Sequence, residues 1–320
     1  MGLTFARRVV RRRTLLKATP ALAFAVSPAG LIRTVSADDR SRPAGAEAEE
    51  QKMADAPRTP TSKVTIERRG QIVLIGINRP EVHNRVDPET YGGLGKAFYR
   101  YDRDPTLRAA VLWGHGDNFS RGIDVDAYQA LAALGRSLMS EPETIDPLAT
   151  RGAGLSKPLV VVVHGDTWNM GHELHLVGDI RIAAANTRFG QDENTHGRFP
   201  GGGATVRFVR EAGWANAMRY MLTGDHWGAE EALRMGIVQK VILTPAEALQ
   251  AGIEMALRIA ACGPLSIGAT LASAHLALNS SQAEAFAKLD AQYRALYATE
   301  DFKEGRRAEA EGRTPVYHGR

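Results

Sequence analysis

The chain has 320 residues, 44% hydrophobic and 24% charged, which is ordinary for a globular protein and long enough for a large core. Its net charge of +4 comes from the first 37 residues, because the remaining chain carries 33 basic and 36 acidic residues. The basic balance is therefore no indication of nucleic-acid binding. The single cysteine, Cys262, excludes an internal disulfide and a cysteine-based zinc site.

The N-terminal segment has the order of features of a twin-arginine export leader. Residues 12–17 read Arg-Arg-Thr-Leu-Leu-Lys, a weakly apolar stretch follows at 18–32, and small residues at 35–37 offer a cleavage site. Prolines and a glycine interrupt the apolar stretch, so we expect no stable membrane span. We expect residues 1–37 to be a removable leader and the protein to be exported. Translation from Met53 would instead give a cytoplasmic protein.

The body after residue 62 predicts an α/β fold, because apolar runs alternate with helical patterns. Residues 38–62 lack apolar periodicity and are expected to form a flexible linker. Strands are predicted at 64–67, 71–77, 109–113, 159–163, 180–183 and 238–242. Helices are predicted at 88–101, through 173–177, after 201–203 and over most of the chain from 214. These patterns divide the body into a core at 63–250 and a helical part at 251–320.

Six short patterns occur in one order along this body. They are Asn-Arg-Pro at 78–80, Phe-Ser-Arg-Gly-Ile-Asp at 119–124, Gly-His-Glu-Leu at 171–174 with Gly-Asp-Ile at 178–180, Phe-Gly-Gln-Asp-Glu at 189–193 with glycines at 197, 201 and 203, Leu-Thr-Gly at 222–224, and the run at 299–305. Together they resemble the crotonase (enoyl-CoA hydratase/isomerase) family, over residues 64–319. The resemblance implies a spiral of ββα units, a helical C-terminal part between subunits, and a homotrimer or hexamer.

The resemblance also implies an acyl-CoA substrate, as in fatty acid metabolism, with coenzyme A part of the substrate and no separate cofactor. Acyl-thioester chemistry builds negative charge on the carbonyl oxygen, which two backbone N–H groups can stabilise. By position these donors are Ile123 and Met170. The further residues expected to contact substrate are Arg121, Gly122, Gly171, His196, Pro200 and Gly201.

Two glutamates match the positions at which hydratases of this family carry their acid and base. Adding water to a double bond needs one group to accept a proton and another to supply one, and Glu173 with Glu193 can share that work. Isomerases of the family usually need only one carboxylate, so the pair favours hydration. Asp124 and Asp192 remain alternative acids or bases.

Three departures from the family pattern bear on the substrate. Trp168-Asn169-Met170 replaces a glycine run, which leaves the backbone donor but can reshape the pocket. Residues 194–196 read Asn-Thr-His, more polar than usual, which makes an oxygenated acyl group conceivable. Glu81 stands where a basic residue often helps to hold the nucleotide.

Two other functions stay open. An exported protein would meet little coenzyme A, so a crotonase-fold hydrolase or isomerase acting on a diketone is the alternative, and a non-catalytic binding relative is the third possibility. No metal site is expected, because His172 and His175 are three residues apart where the zinc-protease helix needs four. The glycines at 201–203 lack the following Lys-Ser/Thr of a phosphate loop.

Overall fold

The computed structural model describes residues 62–133 and 142–320. The predicted leader, the start at Met53 and all of the predicted linker except its last residue lie outside the described residues. Nine strands lie within the described part: β1 (Val64–Arg69), β2 (Ile72–Ile77), β3 (Ala109–Gly114), β4 (Leu159–Val163), β5 (Asp166–Trp168), β6 (Ile180–Ala184), β7 (Arg188–Gly190), β8 (Trp227–Gly228) and β9 (Lys240–Ile242). Its helices are α1 (Pro88–Arg103), α2 (Val125–Ala133), α3 (Met170–His175), α4 (Ala204–Ala212), α5 (Trp214–Thr223), α6 (Ala229–Arg234), α7 (Pro245–Ala260), α8 (Pro264–Asn279), α9 (Gln282–Tyr297) and α10 (Glu300–Glu311).

The main sheet has six strands in the order β1-β2-β3-β4-β6-β9. The first two, both predicted as strands, form an antiparallel hairpin in which Gly70 adopts a positive φ of 61° at the turn. Every later pairing in this sheet is parallel. The all-apolar run of β4 is buried at each position, as the sequence predicts for a strand covered on both faces.

Successive residues of a strand point to opposite faces of the sheet, so its apolar strands have two faces to bury. Helices cover both faces. Ile75 and Leu112 belong to a larger core with α1, whereas Leu74 and Val162 belong to a second core that α7 closes. A Cβ on Gly252 of α7 would lie 2.3 Å from Cγ2 of Val162, so this glycine allows the helix to approach the sheet closely. Helix α7 crosses the predicted boundary at 250–251.

A second, three-stranded sheet has the order β5-β7-β8. Its strands have two or three residues, too few to show a period of two, and the sequence gives no prediction for them. Strand β5 runs into α3, and β7 runs into the 3₁₀ segment Glu193–His196. Their parallel pairing puts Trp168 beside Gly190, so this small sheet sets the spacing between the two glutamate-bearing segments.

The C-terminal helices contribute little to the core. Helix α8 has no buried residue, and α9 buries only Ala285. Phe286 and Tyr293 on α9 are 68% and 57% exposed, which is unusual for large apolar side chains on the same helix. Asp301 holds the tail by accepting the backbone N–H groups of His318 and Gly319. Among the described helices none alone has the length and hydropathy to cross a membrane; α7 and α8 reach that threshold only as a pair, bent by 105°.

Candidate active site

Glu173 lies on α3, whose first turn follows a sharp change of chain direction. Asn169 precedes the helix with φ 52° and ψ −119°, a conformation that non-glycine residues rarely adopt. The Glu173 side chain is 3% exposed, and its Oε1 accepts the backbone N–H of Ala204 at 3.2 Å. A Cβ on Gly202 would lie 2.2 Å from Oε2, so only glycine at 202 leaves room for this carboxyl group.

Burial raises the pKa of Glu173 to about 7, and the charge of Glu193 adds to the rise. The N–H groups of Ala204 and Gly202 and the charge of Arg207 act in the opposite direction. Near neutral pH this carboxyl group therefore exists in both protonation states, as a group that exchanges protons with a substrate requires.

Glu193 opens the 3₁₀ segment that follows β7 and is 8% exposed. The side-chain amide of Gln191 donates from Nε2 to both carboxylate oxygens, at 2.9 and 3.0 Å. Burial raises the pKa of Glu193, the charge of Asp192 adds to the rise, and Gln191 and Arg198 oppose it. The two glutamates are thus both buried carboxyl groups whose pKa values are raised, and they lie close enough to interact electrostatically.

Asp192, one of the alternative acids, is engaged in structure. Its carboxylate accepts a hydrogen bond from Nδ2 of Asn169 at 2.8 Å and lies 3.2 Å from Nε2 of His226. The side-chain oxygen of Asn169 in turn accepts a hydrogen bond from the backbone N–H of Asp192. These contacts lower the pKa of Asp192, with the His226 hydrogen bond as the largest cause. Asp124, the other alternative, lies 3.4 Å from the guanidinium group of Arg79. These partners favour bracing roles for both aspartates.

The segments carrying the two predicted oxyanion donors lie side by side. Gly122 has a positive φ of 87°, and a Cβ there would lie 2.9 Å from the carbonyl oxygen of Trp168 and 3.3 Å from the Met170 nitrogen. A Cβ on Gly171 would lie 2.4 Å from the carbonyl oxygen of Ser120. Within the described part of the chain, the N–H groups of Ile123 and Met170 have no protein acceptor. Two neighbouring backbone donors are thus available to a ligand.

The remaining predicted contact residues have different surroundings. Arg121 donates a hydrogen bond from Nε to the Asp166 carboxylate at 2.7 Å, and its guanidinium group lies 4.8 Å from the centre of the Trp168 ring, so it ties its own loop to β5. Pro200 is buried, whereas His196 and Gly201 are exposed on the segment after Glu193. Among the described residues, none of these last three makes a hydrogen bond or ion pair with the carboxyl group of either glutamate.

Two polar residues after Glu193 stabilise their own segment. Asn194 donates Nδ2 to the Met221 carbonyl oxygen at 2.7 Å, and Thr195 donates its hydroxyl to the Asp192 carbonyl oxygen at 2.8 Å. One donor of each side chain is therefore used within the protein. These bonds weaken the support that this polar run lent to an oxygenated acyl group.

The partners that hold Glu193 were not predicted from the sequence. The side-chain oxygen of Gln191 accepts a hydrogen bond from Nδ1 of His172 at 2.6 Å, and the His172 ring lies among buried aromatic rings. The available signals were a glutamine two residues before Glu193 and a histidine directly before Glu173. Among the residues that the structure describes, no group of three His, Cys, Asp or Glu side chains is placed to bind a metal ion.

The family model described as enoyl-CoA hydratase/isomerase matches residues 67–320. The chain belongs to this family. Membership confirms the resemblance read from the six patterns, and it identifies the protein as an enzyme of the enoyl-CoA hydratase/isomerase family.

Individual relatives agree with this assignment. The enoyl-CoA hydratase EchA19 of Mycobacterium tuberculosis is 35% identical over 259 residues, which cover 80% of this chain and 96% of that protein. The (E)-benzylidenesuccinyl-CoA hydratase of Thauera aromatica is 31% identical, covering 80% of this chain and 99% of the relative. A crystal structure of a probable enoyl-CoA hydratase/isomerase from Mycobacterium abscessus is 41% identical and superimposes with a TM-score of 0.78 over 81% of this chain and 99% of that one. The predicted crotonase-like α/β fold is confirmed.

Proposed function

We propose that the protein adds water across the double bond of a 2-enoyl-CoA, with Glu173 and Glu193 as the proton-transferring pair. The proposal rests on the pair itself: two buried carboxyl groups with raised pKa values, together with the Ile123 and Met170 N–H groups, which have no protein acceptor in the described part of the chain. Relatives named as hydratases of different acyl-CoA substrates support the reaction class.

In the proposed reaction one carboxyl group of the pair is ionised and the other protonated. The ionised group accepts a proton from water while the water oxygen bonds to the β-carbon. The electron pair of the double bond moves towards the thioester carbonyl, and the N–H groups of Ile123 and Met170 stabilise the resulting oxyanion. The protonated carboxyl group then gives its proton to the α-carbon. The thioester bond stays intact, and proton exchange restores the starting state of the pair.

The protein environment supports this division of labour. A carboxyl group with a pKa near 4.5 would be almost fully ionised at neutral pH and a poor proton donor. Burial of Glu173 raises its pKa to about 7, so a protonated carboxyl is available at neutral pH. Gln191, in contrast, donates to both oxygens of Glu193 and favours its ionised form. No cofactor beyond the coenzyme A of the substrate is needed for these steps.

Two further aspects remain predictions. We propose a homotrimer or hexamer, supported by the exposed apolar side chains of α9, since large apolar patches commonly mark subunit interfaces. We also keep export through the leader at 1–37 as a proposal, which replacement of Arg12 and Arg13 by Lys would test by shifting the protein to the cytoplasm.

The competing substrate class is a diketone without coenzyme A. Its support inside the body is the polar run after Glu193, and the hydrogen bonds of Asn194 and Thr195 within the protein weaken that support. Calorimetric titration of the full chain with acetoacetyl-CoA, compared with acetylacetone, separates the two. We expect binding of the thioester in the micromolar range and none of the diketone. Binding of the diketone alone by folded protein would contradict the proposal.

A further inference from the structure

A buried chain of hydrogen bonds leads from Glu193 away from the site to His172. The Nε2 of Gln191 donates hydrogen bonds to both carboxylate oxygens of Glu193. Its Oε1 accepts a hydrogen bond from Nδ1 of His172 at 2.6 Å. Gln191 is 1% exposed and His172 has no exposed surface. The proposed reaction makes no direct use of either side chain, so their burial beside a reacting carboxyl group calls for a function.

The Gln191 amide can support an ionised Glu193 in only one of its two orientations. An ionised carboxylate only accepts hydrogen bonds, so the NH₂ end of the amide must face it. In the reversed orientation the amide oxygen would lie against the carboxylate oxygens, and two acceptors would repel each other. The N–H group of His172, donated to the amide oxygen, holds the productive orientation.

The surroundings of His172 put its single proton on Nδ1. Complete burial lowers the pKa of His172 to about 4, so the ring is neutral and carries one N–H group. Its Nε2 has no polar partner in the described part of the chain. It lies among aromatic rings, with the centroids of Phe208 and Trp227 at 4.9 and 5.2 Å from that of His172. The acceptor within reach of the ring is the Gln191 oxygen, on the Nδ1 side.

We infer that His172 is a positioning residue, which locks the Gln191 amide and thereby keeps Glu193 aligned and ionisable for proton transfer. The geometry of the inference comes from the three hydrogen bonds that join His172, Gln191 and Glu193. Its consequence for catalysis rests on the proposed function. The charged groups that also act on Glu193 are Asp192, Arg198 and Glu173, and Arg181 acts on His172. All four stay in place when only His172 is changed.

The test compares His172→Leu, which removes the donor, with His172→Asn, whose side-chain N–H can replace it. His175→Leu is the matched control, because His175 is equally buried, stacks on His172 at 5.7 Å and has no polar partner in the described residues. For crotonyl-CoA hydration by the full chain, we expect His172→Leu to lower kcat about tenfold with KM within twofold. The limb of the pH–kcat profile that Glu193 controls should move up by about one pH unit, the size of effect expected from a lost hydrogen bond to a charged group.

The control variants fix the interpretation. His172→Asn should restore both kcat and the profile, and His175→Leu should leave them unchanged. In a Gln191→Leu background, His172→Leu should add no further loss, because the histidine acts through the amide. A profile that stays unmoved in a folded His172→Leu, or an equal loss in both backgrounds, would overturn the inference.

A measurement without turnover separates this inference from the proposed function. Infrared titration of the carboxyl band that disappears in Glu193→Gln reports the pKa of Glu193 directly. If that pKa rises in His172→Leu while the parent protein hydrates no enoyl-CoA, the positioning role stands and the hydratase proposal is wrong. If the parent hydrates enoyl-CoA and the pKa stays unmoved, the positioning role is wrong.

Discussion

Replacing Glu173 by glutamine should stabilise the protein while destroying its activity. Burial raises the pKa of Glu173 from 4.5 to about 7, so the folded state holds this proton more tightly than the unfolded state. The contribution of Glu173 to the free energy of unfolding therefore falls as the pH rises from about 4.5 to about 7, and it is constant above that range. At about 1.4 kcal/mol for each pKa unit, the ionised carboxyl group costs about 3 kcal/mol of stability at pH 8. Glutamine carries no charge and still accepts the Ala204 N–H.

The assay is urea unfolding of the parent and Glu173→Gln at pH 5 and pH 8, at one protein concentration. Comparing variant with parent at each pH cancels the titration of groups that do not interact with Glu173. We expect Glu173→Gln to be more stable by about 3 kcal/mol at pH 8 and by less than about 1 kcal/mol at pH 5. Glu230→Gln, which changes an exposed glutamate of α6, should show no such difference. An equal gain at both pH values, or a loss at pH 8, would refute the reasoning.

Three more substitutions test the geometry. Gly122→Ala puts a methyl group 2.9 Å from the Trp168 carbonyl oxygen at a positive φ, and we expect kcat to fall on the order of 100-fold in steady-state hydration assays. Gly202→Ala would place its Cβ 2.2 Å from Oε2 of Glu173, so displacement of that carboxyl group should lower kcat similarly, and unchanged turnover would show that the carboxyl group does not act from this position. Asp301→Ala removes the charged acceptor of two backbone N–H groups of the C-terminal tail, and urea unfolding should show a loss of about 1 to 3 kcal/mol with the pH–kcat profile unchanged.

The sequence predicted the central strands of the main sheet well because β2, β3 and β4 are largely apolar. The bounds of β4 agree with the prediction at 159–163, and β2 and β3 differ from theirs by one residue. The start of α1 was readable because Asp87 and Pro88 are a favourable N-cap and first residue, and Asp87 does accept the Thr90 N–H. Local chemistry fixes these elements, so one sequence suffices to find them.

The second sheet was not predictable for the opposite reason. Strands β5, β7 and β8 have two or three residues and exist only because distant segments pair. Their register nevertheless decides how the α3 segment and the Glu193 segment face each other. The positions of the two glutamates could be predicted from the sequence, but the arrangement that brings them together could not.

The hydrogen bonds that hold Glu193 could not be predicted from the sequence either. His172 and Gln191 are 19 residues apart, and their hydrogen bond depends on the pairing of β5 with β7. In the sequence, His172 belongs to the Gly-His-Glu-Leu pattern and to an incomplete zinc motif, and neither predicts a bond to Gln191. The polar residues Asn194 and Thr195 suggested a polar substrate, yet both make hydrogen bonds within their own neighbourhood. Side-chain type indicates what a residue can bond to, and the fold decides with which partner.

The most direct test of the account is the rate of crotonyl-CoA hydration by the purified full chain, followed by loss of the enoyl-thioester absorbance. We predict turnover by the parent protein, and a loss on the order of 1,000-fold or more in kcat for both Glu173→Gln and Glu193→Gln, with Glu230→Gln unchanged. Full activity in either glutamine variant of the pair, with the oligomer intact, would contradict the assignment of the two carboxyl groups as the reacting pair.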